Sequence, residues 1–322
     1  MLKKEVTNMV NARKVAIIGC GFVGSASAFA LMDKRLFSEL VLIDSNFEKA
    51  EGEAMDLAHG LPYLSPMKIY AGTYEDIKDA AIVVITAGAA QKPGETRLDL
   101  IQKNVAIMKS IVCELKRVQV EGYLLIVANP VDILTHVALK ESGFPKNRVF
   151  GSGTVLDTAR FKYLLSQKLE VDARNVHAVV IGEHGDSELC VWSVANISGI
   201  PLMDFAETKG ITHHEDEMDR IYHEVRDSAY SIIAKKGATY YGIARAVARI
   251  CSCIVNDEKT MLPISVELNG EYGLSGLSLS IPTLVGKGGA EAILELPLNV
   301  RERRQLADSA KALSSVIKDI GY

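Results

Sequence analysis

A chain of 322 residues, 48% hydrophobic and 24% charged, is too long for one ordinary core and too apolar for disorder. Two packed domains are expected, 1–150 and 151–322. With 36 Lys and Arg against 40 Asp and Glu, the formal net charge of -4 lacks the basic surplus a nucleic-acid partner demands. No apolar run suits a signal peptide or a membrane span, and Cys20, Cys113, Cys190, Cys251 and Cys253 form no C-x-x-C pair. Reduced thiols, a cytoplasmic compartment, no membrane partner and no metal site are the expectations.

In chain order, the first half alternates short apolar runs with amphipathic stretches, the pattern of a parallel sheet crossed over by helices. Residues 15–18, 40–43, 81–86 and 124–127 are Val- and Ile-rich runs suited to strands buried on both faces. Helical spacing occupies 23–32, 48–57 and 98–116. This is a doubly wound α/β (Rossmann) reading. Beyond residue 150 the pattern changes to α+β. A helix is predicted over 155–167, a strand over 176–181 and long helices within 215–255. Neighbouring antiparallel strands follow at 263–268 and 276–281, and a terminal amphipathic helix at 300–320.

Directly after the first strand, Gly19-Cys20-Gly21-Phe22-Val23-Gly24 fits G-x-G-x-x-G and runs straight into a helix. Gly19 permits the tight turn, Gly21 lets a pyrophosphate approach the backbone, and Gly24 lets helix pack on strand; the helix N-terminus supplies oriented N–H donors. The next strand ends at Asp44, about 20 residues beyond Gly24, where a carboxylate accepts both ribose hydroxyls and repels a 2′-phosphate. NAD rather than NADP is the expected cofactor. Three glycines alone could be a mere turn; strand, helix and acid together make the fingerprint.

Four further motifs carry a family resemblance: Gln91-Lys92-Pro93-Gly94-Glu95-Thr96-Arg97, Val127-Ala128-Asn129-Pro130, Asp157-Thr158-Ala159-Arg160 and Gly182-Glu183-His184-Gly185. With their order and spacing, the chain resembles the L-lactate and malate dehydrogenase family, bacterial type, over essentially its whole length. The resemblance implies reversible hydride transfer between NAD and a small 2-oxo or 2-hydroxy acid, in fermentative glycolysis. Among cofactor contacts it implies Val23, Lys49, Tyr74, Gly88, Ala89, Asn129 and Ser152 beside Gly19, Gly21, Gly24 and Asp44.

Reducing a ketone by hydride needs a proton donor, and imidazolium exchanges a proton near neutral pH. His184 resembles that acid/base, and Asp157 the carboxylate that orients its ring and favours the protonated form. Arg160, three residues beyond Asp157, shares its helical face and can hold a substrate carboxylate bidentately. Arg97, in a segment that reads as a mobile loop, can close and polarise the carbonyl. Asn129 resembles the residue that orients substrate and nicotinamide, and Thr239 the remaining pocket residue. Taken singly, such a His is more often structural, Arg97 a solvated charge, and Asp157 with Arg160 a helix ion pair of about 0.3–0.5 kcal/mol. Their coincidence points to catalysis.

Substrate choice is expected to turn on Gln91, where the malate pattern has Arg. A neutral Gln91 leaves oxaloacetate's second carboxylate unpaired and tolerates a methyl group, favouring pyruvate and L-lactate. Alternatives within the family are an L-2-hydroxyisocaproate type and a malate dehydrogenase; outside it, an NAD-binding regulatory protein. The resemblance implies a homotetramer. Cys190 stands where the family commonly has proline, and is expected to be an unreactive thiol. Bacterial relatives activated by fructose 1,6-bisphosphate pair an arginine with a histidine at an anion site; Lys162 and His177 match those positions, lysine giving a point charge instead of a planar fork.

Overall fold

The computed structural model describes residues 10–90, 94–211 and 214–322. Gln91 lies outside them. Six strands run parallel: β1 (Asn11–Ile18), β2 (Glu39–Ile43), β3 (Lys68–Ala71), β4 (Ala80–Ile85), β5 (Tyr123–Ile126) and β6 (Val149–Gly151). Their order, β6-β5-β4-β1-β2-β3, reverses direction between β1 and β4. Such a switch point opens a crevice at the carboxyl ends of the strands, because the helices following the two neighbours leave on opposite faces.

Strand side chains alternate between faces, so each apolar run feeds two cores. Ala16, Ile18, Val83 and Ile85 bury against α3 (Arg97–Arg117) and α4 (Val131–Ser142). Val15, Ile17, Ile82 and Val84 bury on the other side with residues of α1 (Phe22–Lys34) and α2 (Phe47–His59). All six residues of β4 are buried, at roughly 1.5–3 kcal/mol for each large apolar side chain.

The second half opens with α5 (Val155–Leu169). The strand expected over 176–181 is instead two short pieces in different sheets: β7 (Val176–His177) and β8 (Val180–Ile181), followed by β9 (Leu189–Cys190), β10 (Asn196–Ile197) and β11 (Ile200–Pro201). Next come α6 (Leu202–Thr208), α7 (His214–Lys236) and α8 (Tyr241–Val255). Gly237, at φ 84°, lies at the break between the last two. The antiparallel pair β12 (Thr260–Asn269) and β13 (Ser275–Gly286) forms with Ile264 opposite Ile281; β14 (Gly289–Ile293) and α9 (Val300–Asp319) complete the chain.

The sheet continues through residue 150. β12 pairs with β6 at Ser265 and Gly151, so β14-β13-β12 extends the parallel sheet to nine strands. α8 also returns to the first half, packing on the α1–α2 side with Val247 and Ile250 fully buried. The two halves are thus joined by backbone hydrogen bonds and by a common core.

Candidate active site

The first component of the site is a cleft of about 570 Å³ at the carboxyl ends of β1, β2 and β4. Gly19, Gly21, Asp44, Lys49, Tyr74, Gly88 and Ala89 line it; Val23, Gly24, Asn129 and Ser152 are not among its lining residues. At Gly19, φ is 102° and a Cβ would lie 2.6 Å from the Ala87 nitrogen; at Gly24 a Cβ would lie 1.8 Å from the Gly19 oxygen. Those two glycines are demanded by packing. Gly21 is different: a Cβ there meets no protein atom within 4 Å, so its bareness serves the open cleft.

Gly21 is also the N-cap of α1, and no side chain caps that helix. First-turn N–H groups are therefore available to an anion, reinforced by the helix dipole. The Asp44 carboxylate accepts the Cys20 N–H at 2.7 Å and the Asn46 N–H at 2.9 Å, which fixes a negative charge across the glycine turn. Bare glycine, open helix end and fixed carboxylate suit the pyrophosphate and ribose of NAD. Thr86, not anticipated from sequence, buttresses the turn by donating to the Gly19 carbonyl at 2.7 Å.

The second component centres on the loop between β8 and β9. His184 Nδ1 lies 2.6 Å from Asp157 Oδ2, and Arg160 Nη1 donates to Asp157 Oδ1 at 2.7 Å. Both α5 residues sit on one face, as their spacing predicts, with Asp157 buried. The loop is held from behind. Gly182 exchanges backbone hydrogen bonds with Ser280 of β13 at 2.9 and 3.1 Å, the Glu183 N–H donates to Ser309 Oγ at 2.9 Å, and the His184 N–H donates to Asp132 Oδ2 at 2.7 Å.

Arg97 differs from its expected setting. It is the first residue of α3, not a loop residue: Thr96 and Asp99 form a capping box directly over it. Its guanidinium is 66% exposed and lies 3.5 Å from both Glu183 and Asp186, on the loop that carries His184. Asn129 is exposed beyond the end of β5, next to a cis Asn129–Pro130 peptide, and Ser152 is buried just past β6. Thr239 lies in the connection between α7 and α8.

Electrostatics separate the ionisable groups. Desolvation works against the His184 imidazolium, but the charge and hydrogen bond of Asp157, with Glu188 and Asp132 behind, outweigh it and raise the pKa to about 9. For Asp157, burial is likewise overcome, by His184 and Arg160, and its carboxyl is held below the usual value. Burial raises Asp132 to about 6. Cys190 is buried and its thiol is pushed well up by desolvation and then by Glu188, an environment that suppresses the reactive thiolate.

Besides Thr86, three residues were not singled out from sequence. Asp132 anchors His184, and Glu188 is buried beside the Asp157–His184 pair. Asn104 of α3 accepts the Ala89 N–H at 2.7 Å and donates to the Asn129 carbonyl at 3.0 Å, tying the two loops at the cleft. Each lacks a local sequence signature. Lys162 and His177, far apart in sequence, line one cavity of about 580 Å³ together with Arg249. Among the described residues no helix is long and apolar enough to cross a membrane.

Comparison with known proteins bears on both components. Residues 13–151 match the family model for the lactate/malate dehydrogenase NAD binding domain, and residues 154–321 that for the lactate/malate dehydrogenase alpha/beta C-terminal domain. The chain is similar to the L-lactate dehydrogenase of Acetivibrio thermocellus, 51% identical over 96% of this chain and 97% of that protein. It is similar also to that of Priestia megaterium, 52% identical over 94% of each. Among solved structures, a lactate dehydrogenase enzyme from a Medee basin deep-sea metagenome library superposes with a TM-score of 0.94 at 46% identity, covering 98% of this chain and 100% of that one. The ligands-bound minor L-lactate dehydrogenase of Enterococcus mundtii gives 0.93 at 42%, covering 95% and 98%.

Proposed function

The chain belongs to the lactate/malate dehydrogenase family, and from that premise we propose that it interconverts pyruvate and L-lactate, with His184 as the acid/base. The observation that carries this reading is the 2.6 Å contact between His184 Nδ1 and buried Asp157, which fixes the ring and keeps it protonated at neutral pH. NAD, when bound, supplies the hydride chemistry. The protein contributes a proton and a geometry. His184 gives its proton to the oxygen on which negative charge develops, and in lactate oxidation the neutral ring takes the hydroxyl proton.

Arg160 holds the substrate carboxylate with the donors that Asp157 does not occupy, and Arg97 polarises the carbonyl once it leaves Glu183 and Asp186. Asn129 and Thr239 complete the pocket. Gly19, Gly21, Val23, Gly24, Asp44, Lys49, Tyr74, Gly88, Ala89, Asn129 and Ser152 form the cofactor side. The cofactor half is 1–150 and the substrate half 151–322. The enzyme works in the cytoplasm as a homotetramer, consistent with exposed Phe22, Phe29, Met55 and Tyr241 on α1, α2 and α8. Lys162 and His177 form an anion site.

The deciding measurement is NADH oxidation with pyruvate, oxaloacetate and 2-oxoisocaproate side by side. Pyruvate is expected to give the highest kcat/KM. A preference for oxaloacetate would sink the assignment, and no oxidation with any of the three would favour a regulatory NAD-binding protein. Gln91→Arg is expected to move preference toward oxaloacetate by supplying the missing counter-charge. An unmoved ratio would mean that residue 91 does not face the substrate.

A further inference from the structure

Glu188 is a carboxylic acid in an expensive position. It is 3% exposed, and its Oε1 has no hydrogen-bond partner. Burying such a group is tolerable only when it is neutral or serves a charge nearby. Its backbone is fully engaged: the N–H donates to the Gly185 carbonyl at 3.2 Å, and the carbonyl accepts the Tyr222 hydroxyl at 3.1 Å. The side chain is thereby held in place with one oxygen unused. Polar atoms of Glu188, Asp157 and His184 all lie within 4.8 Å of one another. That spacing alone would suit a cation, but Arg160, bonded to Asp157, already puts a positive charge there.

We propose that Glu188 is a positioning residue for the proton on His184: buried beside the ring with one oxygen unused, its carboxylate acts with that of Asp157 to keep the imidazolium protonated. This rests on the reading of His184 as the acid. The charged and titratable groups around Glu188 are Asp157 and Arg160 from α5, His184 from its own loop, Cys190 from β9, and Tyr222 and Arg226 from α7. Asp132 of α4 faces the histidine.

Burial first, then the Asp157 charge, hold the Glu188 proton on up to about 8; His184, Arg160 and Arg226 pull the other way. Ionised, Glu188 is one of the groups that raise His184. The two are reciprocal: each charge change on one moves the other. Two nearby carboxylates and one guanidinium leave a proton on the ring as the balancing charge. With Glu188 neutral, Asp157 and Arg160 already balance, and the ring proton is held less tightly. Glu188 thus extends the range over which pyruvate reduction keeps its proton donor.

The test is the pH profile of kcat/KM for pyruvate in the wild-type enzyme, Glu188→Gln and Glu188→Asp. Because kcat/KM reports ionisations of the free enzyme, loss of the Glu188 charge is expected to move the alkaline limb to lower pH. The ratio of activity at pH 9 to that at pH 6 should fall about fivefold further in Glu188→Gln than in wild type, one pKa unit being worth at most tenfold. Glu188→Asp should restore much of the limb. A limb that stays put, with activity lowered equally at every pH, would overturn the proposal and leave Glu188 a packing residue. Should Glu188→Gln not fold, His184 Cε1 NMR titration of the wild-type enzyme decides: two inflections support the coupling and one overturns it. Inactive His184→Gln beside an unmoved limb in Glu188→Gln sinks this inference alone, whereas active His184→Gln sinks the reading on which it rests.

Discussion

Asp157 carries two tasks through its two oxygens, orienting the His184 ring with one and tethering Arg160 with the other. Asp157→Asn keeps size but removes the charge and one acceptor. We expect kcat for pyruvate reduction to fall by about 10⁴-fold, in line with amide replacement of an orienting carboxylate elsewhere, while NADH binding is retained. Loss of NADH binding in a fluorescence titration would show instead that the loop had collapsed. The same pair makes stability pH-dependent. His184 is raised from 6.5 to about 9, so its contribution is complete below 6.5 and disappears as pH climbs through 9. Glu188, raised from 4.5 to about 8, adds a loss of the same sign between those values. His184→Asn should therefore flatten the decline in urea midpoint between pH 6.5 and 9, and an undiminished decline would assign it to other groups. Asp44 needs a subtler change, since Ala would also free the Cys20 N–H. Asp44→Asn keeps an acceptor and removes the repulsion a 2′-phosphate meets, a few kcal/mol at ~4 Å. The NADH-to-NADPH ratio of kcat/KM should fall about tenfold or more, and a constant ratio would place cofactor selection elsewhere.

At the scale of elements, legibility followed locality. The glycine turn and Asp44 lie within one βαβ unit and their spacing is set by one helix and one strand, so sequence alone placed them. Asp157 and Arg160, three apart on α5, were equally readable. Nothing local links His184 to Asp157, which is 27 residues earlier; the resemblance supplied that pairing. Asp132 and Glu188 were invisible for a related reason. In sequence each is an acid in a mixed segment, and only the packing of distant elements makes it a buried one. α4 escaped notice because nearly every side chain in it is buried, so no 3.6-residue stripe stands out. β3, with no buried residue, and the three-residue β6 gave too weak a pattern. Arg97 was misread as a loop charge because the Pro93-Gly94 signal before it is strong, while the Thr96/Asp99 capping box starts a helix at that very residue. The box has a measurable function. Thr96→Ala removes a cap worth about 1 kcal/mol and loosens the turn that presents Arg97. We expect KM for pyruvate to rise about fivefold, since a slight misplacement of a positioning group is costly. NADH affinity should not change, and Thr96→Ser should restore KM. An unaltered KM would mean that α3 holds Arg97 without its cap.

For the whole molecule, the continuous sheet and shared core mean that the C-terminal half is braced against the cofactor half by β6, β12 and α8, so a ligand bound in the second half acts on elements packed directly against the first. The cavity holding Lys162, His177 and Arg249 lies in that half, and among the described residues its lining includes no carboxylate. Burial lowers the Lys162 pKa, which means that its charge is held without an acidic partner; an arriving anion would supply one. Against this, lysine offers phosphate a point charge where a guanidinium would give a planar, bidentate fork, and Arg249 is already engaged by Glu258. The electrostatics therefore favour an anion while the geometry holds it loosely, and coupling to the active site should be small. We expect an enzyme active without effector, in which millimolar fructose 1,6-bisphosphate lowers the pyruvate KM about threefold, below the roughly 5–150-fold typical of allosteric coupling. The decrease should vanish in Lys162→Ala and His177→Ala without change in kcat. Pyruvate saturation at neutral pH checks it: a fall of a hundredfold would show that lysine serves as well as arginine, and no response at all would remove this cavity from the regulation of the enzyme.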